Sequence, residues 1–307
     1  MGKRANTGLT KKLLALAAAV LLAALIFAPA ASAATTECAT KYPIVLVHGA
    51  GFRDMNVVIS YWGRIPTYLQ ERGAKIYYGN TDGWCTIEQG AADLKAAVEK
   101  ALAATKAEKV NIIAHSKGGL EARYMISSLG MAGKVASLTT ISTPHYGSKT
   151  MDSLLAGIPD FALRGIGLLG NGIRFVWGDR HPDFYAGVKS LGTANMAQFN
   201  QKNPDQAGVY YQSFAGELPT GSHDVILAIT RQAIVDIEGA NDGMVGVESA
   251  KWTNFRGVLR GAGSRGVSHL DEADFRRADF EIEPILGATT IRGFYAAVAA
   301  DLKQKGY

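Results

Sequence analysis

From Tyr42 onward, short and nearly continuous apolar runs alternate with longer amphipathic stretches, and this alternation restricts the chain to a parallel sheet covered on both faces by helices. Strands are expected at 43–47, 75–78, 109–113, 135–141 and 209–214, with helices at 59–72, 87–104, 119–129 and 290–303. The fold class is therefore α/β. In such sheets ligands and catalytic groups gather outside the carboxyl ends of the strands. His48 and Ser116 both fall there.

The first 33 residues read differently. Lys3, Arg4, Lys11 and Lys12 precede an apolar run at 13–27, and Ala31-Ser32-Ala33 supplies a small-residue cleavage pattern, which together describe a secretory signal peptide and a secreted protein. The apolar run is short for a membrane span, so an uncleaved anchor is the weaker alternative. Its removal takes four positive charges and no acid from a formal net charge of +5, leaving about +1 on the remainder, too little for the basic stripe of a nucleic-acid binder. Residues 34–307 contain no linker or repeat and suit one domain with an insertion at about 149–183. Cys38 and Cys85 would sit in a compartment where disulfides persist, yet parallel strands start the two thiols at opposite ends of the sheet, so their pairing stays open.

In Val110-Asn111-Ile112-Ile113-Ala114-His115-Ser116-Lys117-Gly118-Gly119 a strand breaks into a serine and then a helix. A sharp strand-to-helix turn strains the serine backbone and needs small residues two before and two after it, as Ala114 and Gly118 are. The alternative is an ordinary helix-capping serine. A nucleophilic serine needs a base. His269, after a glycine-rich loop at 260–266, is the best placed, whereas His115 reads as a packing residue and His48 as a marker of useful backbone. Asp242, in the turn Gly239-Ala240-Asn241-Asp242-Gly243, is the expected orienting acid, with Asp224 and Asp236 as competitors and a plain Asn-Asp-Gly turn as the bland reading. Two backbone amides, those of Ala50 and Lys117, are expected to face a developing oxyanion.

Between 149 and 183 the regular alternation stops. The stretch 154–178 interleaves Ile158, Phe161, Leu163, Ile166, Leu168, Leu169, Ile173, Phe175, Val176 and Trp177 with six glycines, a poor recipe for a rigid core helix. A mobile apolar helical cap (a lid) over the site, offering its surface to lipid, is the expected reading, and a helical insertion packed permanently on the domain is the alternative.

Taken in order, Tyr42-Pro43-Ile44-Val45-Leu46-Val47-His48-Gly49, Ala114-His115-Ser116-Lys117-Gly118-Gly119, Ile141-Ser142-Thr143-Pro144-His145-Tyr146-Gly147-Ser148 and Asn241-Asp242-Gly243 resemble the secreted bacterial triacylglycerol lipases of the α/β-hydrolase fold, of the Bacillus and Clostridium type. The resemblance implies a serine ester hydrolase with the triad Ser116, Asp242 and His269 and amide donors Ala50 and Lys117. Its substrate would be a lipid or other ester met at a lipid–water interface; no cofactor is required for the chemistry. It also implies a structural calcium beside the histidine, held by Asp271, with Asp274 and Asp279 as helpers. No zinc site is expected, because 77–89 contains no histidine. A soluble-substrate esterase without interfacial activation is the first alternative. A non-catalytic secreted binding protein on the same fold is the second.

Overall fold

The computed structural model describes residues 35–307 apart from 52, 55–59, 177 and 220–222. The expected signal peptide, the first residue of the helix expected at 59–72, and Trp177 of the cap lie outside the described residues. Residues 35–307 form one unit. Its strands are β1 (Ile44–Val47), β2 (Ile76–Tyr78), β3 (Val110–His115), β4 (Val135–Ile141), β5 (Tyr210–Glu217) and β6 (Phe255–Arg260). They pair in the order β2-β1-β3-β4-β5-β6, every neighbour parallel. The helices are α1 (Ile65–Gln70), α2 (Ile87–Thr105), α3 (Lys117–Ser127), α4 (Lys149–Gly157), α5 (Asp160–Val176), α6 (Phe184–Ser190), α7 (Thr193–Lys202), α8 (Val225–Glu238), α9 (Val247–Ala250), α10 (His269–Glu272) and α11 (Ile291–Gln304).

The period of two along each strand divides the core into two halves. Ile44 and Leu46 of β1, with Ile113, Ile141 and Phe214, pack under α1 and α11 against Trp62, Ile65, Phe294 and Val298. Val45 and Val47, with Ile112 and Ala114, face the opposite way onto Leu94 and Val98 of α2 and Met125 and Ile126 of α3. Both faces are dry, which is why these strands read as unbroken apolar runs. Register then sets the site: Val47 pairs with Ala114 and His115 with Ile141, so β1, β3 and β4 end level with one another.

The structure adds three points to these expectations. The sheet gains a sixth strand, β6, which the sequence reading passed over because Phe255-Arg256-Gly257-Val258-Leu259-Arg260 lies at an edge and is mostly half-exposed. Cys38 and Cys85 are buried free thiols. The insertion expected at about 149–183 is helical, built from α4 and α5 with a break between Gly157 and Asp160.

Candidate active site

Ser116 stands between β3 and α3 with φ +56° and ψ −134°, a conformation L residues seldom adopt. Its side chain caps no helix amide, so the ordinary capping reading does not hold. Steric demand explains the glycines around it. A Cβ on Gly118 would lie 2.4 Å from the His48 carbonyl oxygen, and one on Gly119 would lie 2.1 Å from Thr143 Oγ1. The loop after β1 presses equally close, since a Cβ on Gly49 would come 2.6 Å from Ser116 Cβ. The Ser116 amide donates to Ile141 O at 2.9 Å, and Thr143 Oγ1 donates to Ser116 O at 2.8 Å, tying the turn to β4 and its following loop.

His269 arrives from the loop after β6, its ring centroid 4.3 Å from that of His115, the residue preceding Ser116. Its Nδ1 donates to Asp242 Oδ2 at 2.7 Å, and its backbone amide donates to Asp242 O at 2.9 Å. Asp242 Oδ1 accepts from the Met244 and Val245 amides, both at 2.8 Å. Burial alone would raise this carboxyl; the His269 contact and the two amides hold it below its ordinary value, so it stays ionised. The structure thus brings Ser116, His269 and Asp242 to one end of the sheet. It places the competing acids elsewhere: Asp224 caps α8, and Asp236 accepts from Gln232 on the surface of the same helix.

A second carboxyl lies beside the first. Glu272 is fully buried near Asp242 and accepts from Ser142 Oγ at 2.9 Å and from His115 Nε2 at 3.0 Å. His115 Nδ1 accepts from the Tyr61 hydroxyl at 2.6 Å. Burial and the adjacent Asp242 carboxylate push the Glu272 carboxyl well above its ordinary range, and burial with the nearby His269 pushes His115 well below its own. Two buried carboxyls near one another share one charge, and here Asp242 carries it. Sequence reasoning missed Tyr61, Ser142 and Glu272, and it took His115 for packing. The one available signal was Glu272 itself, a full acid three residues after His269.

Lys117 follows Ser116 directly and Ala50 follows Gly49, which is pressed against Ser116; among the described residues neither the Ala50 nor the Lys117 backbone N–H has a protein acceptor. The Lys117 side chain is turned inward, where Nζ donates to Glu121 and lies 3.5 Å from Cys85 Sγ. His48 is also structural: its ring nitrogens face the Gly49 and Thr81 carbonyls at 2.8 and 3.1 Å, and burial pushes it down to about 4.

The centre is covered. Ser116 is 8% exposed and His269 4%, and a surface cavity of about 490 Å³ between β2 and α2 is lined by none of these residues. Past α5, the chain is fastened to the loops around the site. Asp179 accepts from the Gly83 and Trp84 amides, each at 3.1 Å, and from Arg174 Nε at 3.0 Å; Arg53, three residues after Ala50, donates to Gly178 O. On α5 itself Phe161, Leu168 and Leu169 are 74–79% exposed, and on α8 Val225 and Ile229 are both 78% exposed.

Asp271 does not fit the expected calcium. Its side chain is buried, and its oxygens already face Arg265 Nη2 at 3.2 and 3.4 Å, His223 Nε2 at 3.2 Å and the Ser268 amide at 3.2 Å. A hard divalent cation needs six or more oxygens, and a guanidinium already fills the place its charge would take. The expected helpers are engaged too, Asp274 by Arg64 at 2.7 Å and Asp279 by Arg64 and Arg292 at 2.9 Å.

Residues 43–212 match the palmitoyl protein thioesterase family. Over 187 residues the chain is 39% identical to a triacylglycerol lipase of Burkholderia plantarii, covering 57% of this chain and 52% of that protein, so it spans about half the length of that relative. A triacylglycerol lipase of Vibrio cholerae is 30% identical over 295 residues, 87% of this chain and 89% of the relative. Among solved structures, the Staphylococcus hyicus lipase superposes with a TM-score of 0.64 at 17% identity, covering 87% of this chain and 97% of its own, a likeness of fold.

Proposed function

Because the chain belongs to the palmitoyl protein thioesterase family and to the triacylglycerol lipases, ester hydrolases on an α/β-hydrolase fold, we propose that it is a secreted serine lipase acting on long-chain acyl esters at a lipid surface. The observation that carries this reading is the 2.7 Å contact between His269 and Asp242 beside a serine held at φ +56°. Ser116 Oγ attacks the ester carbonyl as His269 Nε2 takes its proton. The Ala50 and Lys117 amides receive the oxyanion, an interaction worth about 3–4 kcal/mol per donor in the transition state. Asp242 fixes the His269 tautomer and stabilises the imidazolium. His269 then returns the proton to the departing alcohol, and water cleaves the acyl-enzyme by the same steps.

The buried serine and the exposed apolar side chains of α5 and α8 support interfacial action, with those side chains meeting lipid. The rate should jump once the ester exceeds its solubility. The thioesterase-family match favours one further substrate, an acyl thioester of the same chain length, since the same nucleophile and amides serve either carbonyl.

Ser116→Ala tests the assignment. Turnover of a chromogenic acyl ester should fall by about 10⁴-fold or more, and labelling by an acyl-site phosphonate should vanish with Tm unchanged. Substantial residual turnover would overturn the reading.

A further inference from the structure

The loop that delivers His269 is gripped by two buried carboxylates, and each carries an arginine. Asp271, in α10, reaches back to Ser268 in a reciprocal cap and outward to Arg265 and His223. Asp224, at the start of α8, accepts on Oδ1 from the Leu227 amide at 2.9 Å and from Arg276 Nη2 at 2.6 Å, while its Oδ2 is buried with no hydrogen-bond partner among the described residues; the Ser268 hydroxyl is near the same carboxyl. Burial would raise Asp224; Arg276, the Leu227 amide and Ser268 together hold it below its ordinary value. Ser268, immediately before His269, therefore lies between the two acids.

From this geometry we infer that Arg265 and Arg276 act as a protein-borne cation pair that positions the His269 loop without a metal ion, the task a divalent cation would perform between two such carboxylates. Both acids are almost wholly buried, so each needs a cation. Both guanidiniums are about a quarter exposed and thus keep part of their hydration. Arg265 is further fixed by stacking 3.6 Å over the Phe280 ring. The pair joins three stretches of chain: the turn into α8, the loop after β6, and the segment after α10. Since α8 also carries the exposed Val225 and Ile229, the clamp ties an apolar surface helix to the histidine loop.

That His269 is the base rests on the proposed function; the clamp itself is read by thermal stability, which does not depend on that reading. In the full chain, Tm and kcat on a soluble ester should be the same in millimolar EGTA and in millimolar calcium. Arg265→Ala should lower Tm by about 5–10 °C through the buried charge it strands, and should lower kcat several-fold with KM little changed. Adding Asp271→Asn to Arg265→Ala removes that stranded charge and should restore at least half of the lost Tm. A calcium-dependent rise in the Tm of the unaltered protein would overturn the inference. So would a double variant no more stable than Arg265→Ala, which would mean that Arg265 contributes packing alone.

Discussion

At the scale of single residues, the question is which acid faces His269 with a charge. Glu272 and Asp242 are buried near one another, and the local donors are divided unequally: Asp242 has His269 and two backbone amides, Glu272 the Ser142 hydroxyl and a neutral His115. The proton therefore rests on Glu272. Glu272→Gln keeps a donor in that place, so kcat should stay within about threefold and the pH profile should keep its shape. Asp242→Asn removes the carboxylate charge that faces the imidazole and should cost about 10²–10⁴ in kcat. What remains in that variant depends on Glu272 ionising, so it should rise with pH, and Asp242→Asn/Glu272→Gln should lose the rise. Profiles of kcat against pH for the three variants decide the matter; a Glu272→Gln as damaged as Asp242→Asn would place the charge on the wrong acid. The triad candidates could be read in the sequence because each sits in a short turn with its own local grammar: a serine between small residues, an acid before glycine, a histidine after a glycine-rich loop. Glu272 and Tyr61 have no such grammar. Their roles come from a meeting of the α1 approach, the serine turn and α10 that only the folded sheet creates.

At the scale of elements, α5 holds the largest exposed apolar face described, and its glycines turn out to have a packing use. A Cβ on Gly167 would come 3.1 Å from Tyr185 Cβ, and one on Gly170 would lie 3.8 Å from Phe184, so these two, one turn apart, let α6 lie close against α5. Gly165 and Gly172 have open space around them, and there the helix gives up stability of about 1 kcal/mol per residue relative to alanine. Such a helix is supported by its neighbour more than by its own propensity. Leu168 and Leu169 have no share in that packing, being 75% and 74% exposed. Burying a leucine in an apolar phase gains about 1.5–3 kcal/mol. Leu168→Gln/Leu169→Gln should therefore weaken adsorption to an emulsified ester by about 10²-fold or more, with hydrolysis of a dissolved short-chain ester and Tm unchanged. Equal loss on both substrates would mean that α5 matters for folding instead. The elements best read from sequence were those buried on two sides, β1, β3 and β4, whose composition leaves no alternative. β6 escaped because an edge strand with Arg256 and Arg260 mixes polar and apolar positions. The packing inside the cap was not legible, because glycine content weakens a helix by itself and only the folded chain shows that Gly167 and Gly170 make room for a partner helix.

At the scale of the whole molecule, charge and apolar surface point to how the protein meets its substrate. Lysines and arginines among residues 35–307 nearly balance the acids, and many are spent on internal pairs: Arg64 with Asp274, Arg174 with Asp179, Arg180 with Asp82, Arg265 with Asp271, and Arg276 with Asp224. Little net positive charge is left to draw the surface toward anionic lipid, where each basic side chain near the headgroups would add about 1 kcal/mol. On the lipase reading proposed above, adsorption then draws on the exposed side chains of α5 and α8. Among the described residues no single helix is long and apolar enough to cross a membrane. The two sources respond oppositely to salt: charge attraction is screened within about 10 Å at 0.1 M ionic strength, whereas apolar burial is strengthened by sulfate and phosphate salts. Binding to phosphatidylcholine vesicles, followed by co-sedimentation, should hold or increase from low to high salt, and adding anionic lipid should change it by less than about threefold. A steep fall with salt would move the docking face from the apolar helices to a basic patch, and with it the route by which an ester reaches Ser116.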